Sequence, residues 1–100
     1  MEHPMNDLQT RINTFLQSLA SNETKASKVV ASLQAFSGMD ITHFNKQKTN
    51  SVYKYLSTIN TITARYPIIK TNDDYQFMSD ADLDSILKCM QQLCLKLLID

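Results

Sequence analysis

Residues 79–98 read SDADLDSILKCMQQLCLKLL, and this stretch decides the fold class. Leu83, Ile86, Leu87, Met90, Leu93, Leu97 and Leu98 recur at the three- and four-residue intervals of one helix face. The start is signalled as well. Ser79 followed by an acid at Asp82 resembles a capping box, and Asp80, Asp82 and Asp84 sit where the positive end of a helix dipole favours carboxylates. Lys88 and Lys96 lie further along. The apolar stripe is broad, so this helix is expected at the centre of the domain.

Working back along the chain, the same period reappears. Leu8, Ile12, Phe15, Leu16 and Leu19 predict a helix over about 5–20, and Ala26, Val29, Val30, Leu33 and Phe36 another over about 23–37. Asn22 is the expected N-cap of the second helix, and Gly38, the only glycine, stands where a left-handed turn ends it. Thr42 is read as the cap of a short third helix over 43–48. A fourth helix over 49–63 carries Val52, Tyr55, Leu56, Ile59 and Ile62. Its many Ser and Thr residues give it poor intrinsic propensity, so packing must hold it. Pro67 stops helical continuation and biases Tyr66 toward extended backbone. Residues 65–78 are therefore expected to form a long loop that turns at Asn72, Asp73 and Asp74. The expected architecture is one all-α domain spanning 1–100, a compact five-helix bundle. One Gly and two Pro argue against a turn-rich sheet fold.

Composition narrows the function. The formal net charge is zero, which disfavours general nucleic-acid binding, since that requires a basic surface to release counterions. The charge is nevertheless uneven. Residues 1–70 hold eight Lys/Arg against four Asp/Glu, and residues 71–100 hold two Lys against six Asp. The two parts either attract each other or present a surface divided by sign. No apolar run reaches the roughly 20 residues of a membrane helix, and residues 1–10 are too polar for a signal peptide. A soluble intracellular domain without membrane contact is the expectation. Cys89 and Cys94, five apart on one helix, point to different sides and are read as reduced core or boundary residues.

Catalytic chemistry is not signalled. No phosphate loop, metal-ligand spacing or nucleophile motif is present. His3 and His43 are isolated, and Asp73 and Asp74 read as a solvated turn. No catalytic residue, metal or cofactor is expected.

Leu8-Gln9, Ser18-Leu19, Leu33, Ile41-Thr42, Gln47-Lys48, Leu56 and Ile59 can be laid, without gaps and at low identity, on a known pattern. Over residues 8–62 the chain resembles the integrase-binding domain of the lens epithelium-derived growth factor and hepatoma-derived growth factor-related family, a TFIIS N-terminal-like helical bundle. The resemblance implies a nuclear, monomeric protein-interaction domain within a longer chromatin- or transcription-associated protein. Such domains dock short disordered peptides with acidic and aromatic residues, and bind neither nucleic acid nor membrane themselves. Their docking surface is built from two interhelical corners. By position these are Ser21 and Asn22 between the first two helices, and Ile62, Thr63, Ala64 and Arg65 after the fourth.

The departures from the pattern bear on partner choice. Where the family has an apolar residue and then an aspartate, this chain has Ser21 and Asn22, and Ile62 replaces an aromatic residue. Ser57, Thr58, Asn60 and Thr61 replace a basic cluster, leaving Lys54, Arg65 and Lys70 nearby as substitutes. Tyr66, Ile68, Ile69, Tyr75 and Phe77 of the long loop could add apolar contact. The partner is therefore expected to differ from those of the vertebrate relatives. A second reading makes the last helix, with Leu93, Leu95, Leu97, Leu98 and Ile99, a structural or oligomerisation element.

Overall fold

A computed structural model describes residues 4–98 apart from 40 and 43, with side chains from Asp7 onward. Helix α1 runs Pro4–Ala20, α2 Lys25–Ala35, α3 Lys46–Thr63 and α4 Asp80–Leu98, with a 3-10 helix at Asn72–Phe77 before α4. Among the described residues there is no strand. The five helices form one compact globule with a radius of gyration of 13.7 Å, close to the roughly 13 Å expected of a folded chain this long.

Helix α4 packs on α3 along one flank and on α2 along the other, while α1 and the 3-10 helix both pack on α2. The α3–α4 pair is antiparallel. Lys48 Nζ near the start of α3 reaches Leu97 O at the end of α4 (3.2 Å), and Arg65 beyond α3 reaches Asp82 at the start of α4 (3.2 Å). The core lies around α4. Ile86, Met90, Leu93 and Leu97 are buried there together with Phe15, Val29, Val52 and Ile59. Fully burying one such side chain stabilises by roughly 1.5–3 kcal/mol. Phe15 meets Phe36 edge to face at 5.9 Å, which ties α1 to the end of α2. Ser32 is wholly buried on α2, and its hydroxyl donates to Lys28 O (2.6 Å), so no orphan polar atom remains there.

Three cations close helix ends from neighbouring positions. Arg11 Nη1 donates to Ala35 O (3.1 Å) and Ser37 O (2.6 Å) at the end of α2. Lys28 Nζ donates to Leu19 O (2.9 Å) at the end of α1, and Lys48 caps α4 as above. Each places positive charge on carbonyls that lack an intrahelical partner.

Several boundaries differ from the expectation. The short third helix does not stand as a separate element. Residues 46–48 are the first turn of an unbroken α3, because Asn45 rather than Thr42 supplies the cap, its side chain accepting from Lys48 N (2.8 Å). His43 lies outside the described residues. The cap of α2 is likewise Thr24 and not Asn22, with Thr24 Oγ1 accepting from Ser27 N (3.2 Å). The expected loop over 65–78 contains the fifth helical element. There the Asp74 carboxylate gathers the amides of Lys70 (2.8 Å) and Thr71 (2.9 Å), nucleating the 3-10 turns that follow. Gly38 has φ +68, the left-handed conformation expected of it. Leu16 departs from its stripe, being 49% exposed.

Candidate protein-docking site

The site expected from the sequence comprises two corners, and their surroundings are set by α4. Ser79 caps this helix, its Oγ accepting from Asp82 N (3.2 Å). The returning half of the expected capping box is made differently. Ser79 N donates to the hydroxyl of Tyr66 (3.2 Å), and that hydroxyl in turn donates to Asp82 (2.5 Å). Arg65 pairs with Asp82 from the same side. On the other flank Lys25 Nζ binds Asp80 (2.7 Å) and Asp84 (3.1 Å), one turn apart. Hydrogen bonds from Lys25 to Asp80 and then Asp84 push its pKa above the ordinary lysine value.

The three aspartates thus act as a junction. Lys25 begins α2, just beyond Ser21 and Asn22, and Arg65 follows Thr63 and Ala64. Both corners therefore lie at the end of the bundle where α4 begins. Their residues are presented unequally. Asn22, Ala64 and Arg65 are exposed, while Ser21 and Thr63 are half-buried. Ser21 Oγ donates to Ser18 O (2.7 Å), and Thr63 Oγ1 donates to Asn60 O (3.1 Å). Ile62 is only 7% exposed and belongs to the core, so the apolar contact expected of it is directed inward. Exposed apolar surface is instead offered by Ile68 and Phe77, in the segment between α3 and α4.

Two open grooves flank the outer side of α2. One, of about 400 Å³, runs between α2 and the 3-10 helix and includes Ala26, Val30, Gln34, Asn72, Asp73 and Gln76. The other, of about 270 Å³, lies between α1 and α2 and includes Gln17, Ser18, Ser21, Glu23 and Lys28. Ser27 and Ala31 form the ridge shared by both. Sequence periodicity could not reveal these grooves. They depend on how far apart the backbones pack, and on a 3-10 helix in a segment for which the sequence predicts a loop.

The cysteine thiols are free and buried, and burial raises both pKa values, that of Cys94 to about 11. They are thus poor nucleophiles at neutral pH. Among the described residues no group of His, Cys, Asp and Glu could hold a metal ion, and no helix is long and apolar enough to cross a membrane. Comparison of the chain with protein-family models, curated proteins and solved structures finds no match.

Proposed function

We propose that this chain is a protein-interaction domain that docks short disordered peptide segments at the end of the bundle where α4 begins. The observation that carries the reading is the meeting of both corners around the first turn of α4, through Lys25–Asp80, Lys25–Asp84 and Arg65–Asp82. A pre-formed surface of this kind leaves most of the ordering cost to the peptide. Ser21, Asn22, Thr63, Ala64 and Arg65 are the contact residues of this reading, with Ile62 supporting them from the core. The resemblance to the integrase-binding domain and the TFIIS N-terminal-like bundle adds the partner class. These are acidic, aromatic motifs of nuclear, chromatin- or transcription-associated proteins, bound without catalysis or cofactor.

The test is a titration of the isotopically labelled domain with Phe-containing acidic peptides, followed by amide chemical shifts. Movement of the amides of residues 21–22 and 63–65 is expected. Binding that leaves those amides unmoved, or no binding by any such peptide, would defeat the reading. A second reading, self-association through α4, is favoured by Leu95 and Leu98, 61% and 60% exposed on its last two turns. Sedimentation equilibrium decides it, because a monomer at all concentrations removes it.

A further inference from the structure

Among the described residues, charge divides along the α3–α4 pair. Around the start of α4 and the two corners stand Glu23, Asp73, Asp74, Asp80, Asp82 and Asp84, against Lys25, Lys28, Arg65 and Lys70. That end is acidic. Helix α3 has no carboxylate, and α4 has none from Ser85 to Leu98. Over the same span the pair carries Lys46, Lys48, Lys54, Lys88 and Lys96. Lys48 caps Leu97, while Lys46, Lys54, Lys88 and Lys96 are exposed and make no ion pair among the described residues.

The antiparallel pairing brings these lysines into rungs. Cys89 Sγ lies 3.7 Å from Tyr55 O, so the preceding residues, Lys88 and Lys54, which step in opposite directions along the antiparallel pair, stand within about 3 Å of one level. Lys48 reaching Leu97 O puts Lys48 and Lys96 at the next. Eight residues at 1.5 Å each separate Lys88 from Lys96, about 12 Å. On α4 the core face is Ile86, Met90, Leu93 and Leu97, Asp80 and Asp84 face Lys25, and Cys89 faces α3. Helical spacing leaves Ser85, Lys88, Gln92, Leu95 and Lys96 on the outer side.

We infer that the α3–α4 flank holds the acidic part of a partner peptide, along a lysine ladder formed by Lys54, Lys88 and Lys96. The inference rests on the peptide-docking reading and relocates its electrostatics. Carboxylates brought to the corners would meet the acidic end, whereas the flank is complementary to them. A peptide is favoured over nucleic acid because the charge is local, contains no arginine fork and is interleaved with Gln92 and the exposed Leu95. From Asp82 to Lys96 is about 21 Å along α4. An extended segment of about seven residues at ~3.3 Å each spans it. Acids about four residues apart then match the two rungs.

Two synthetic peptides of about twelve residues, long enough to run from corner to ladder, are titrated into the labelled domain. They share one Phe and differ only in Glu or Gln at the charged positions. The Glu peptide is expected to move the amides around Lys54, Lys88 and Lys96, and the Gln peptide is not. Reversing Lys54, Lys88 and Lys96 to Glu should weaken the Glu peptide about tenfold at low salt, with unchanged circular dichroism. Shifts confined to the corners would overturn the ladder while leaving peptide docking intact. Equal shifts from both peptides, or no binding of the Glu peptide, would overturn it too. So would tighter binding of a short DNA duplex or of phosphatidylserine vesicles to the same lysines.

Discussion

Tyr66 is the side chain on which the geometry of the second corner depends most directly. Its hydroxyl accepts from Ser79 N and donates to the Asp82 carboxylate, joining the segment after α3 to the cap of α4. Tyr66→Phe keeps the ring and removes both bonds. A hydrogen bond to a charged group contributes about 1.5–3 kcal/mol. Water can reach this site, and Asp82 keeps Arg65, so the lower half of that range applies. A loss of about 1.5–2 kcal/mol is expected, or roughly 6–16 °C in Tm for a domain of this size. Urea unfolding of wild type, Tyr66→Phe, Asp82→Asn and the double variant would measure it, with m held constant as the check on two-state behaviour. The coupling between the two sites should be about 1 kcal/mol or more. Hydrogen exchange should quicken at the amides of Ser79 and Asp82 ahead of the core amides. A Tyr66→Phe domain within about 0.5 kcal/mol of wild type, or an additive cycle, would refute the claim that this hydroxyl joins the corner to α4.

Leu93→Ala should cost about 3–5 kcal/mol, because Leu93 is buried on every side at the centre of α4. Chemical denaturation measures it, and a smaller loss would mean the cavity collapses. Gly38→Ala should cost about 1–2 kcal/mol through backbone strain alone, since φ is +68 and an added Cβ meets nothing within 4 Å. Gly38→Asn should cost less, and thermal melts compare the two. The amides of Lys70 and Thr71 hold the Asp74 carboxyl below its ordinary value of 3.8. A carboxyl whose pKa is depressed on folding stabilises above its unfolded pKa, and that contribution fades as pH falls through the folded value. Amide shifts of the 3-10 helix should therefore change on acidification below about pH 4 in wild type, and the step should be absent in Asp74→Asn.

The helical class and its main elements were legible in the sequence for a physical reason. A helix must bury one face, and the three- and four-residue spacing of Leu8 to Leu19, Val52 to Ile62 and Leu83 to Leu97 records which face that is. Local chemistry also marked the Ser79 cap and the Gly38 turn, because each depends on only a few neighbouring residues. The caps of α2 and α3 are Thr24 and Asn45, two and three residues beyond the expected Asn22 and Thr42, because the point at which each helix begins depends on how the helices approach one another. The 3-10 helix was hidden because its six residues are too few to show a period, and one carboxylate, that of Asp74, organises its entry.

The order of residues along the chain determined that charge is divided along it and that its apolar faces are helical. Tertiary structure decided where those charges meet. Lys25, Arg65 and Tyr66 are far from α4 in sequence, yet they gather on Asp80, Asp82 and Asp84. Antiparallel packing likewise sets Lys54 beside Lys88, and holds Ile62, in the last turn of α3, in the core, as its apolar stripe implies and against the surface contact that the resemblance assigned to it. Such juxtapositions come from the packing of whole faces. Residue spacing encodes the faces but not which of them will touch.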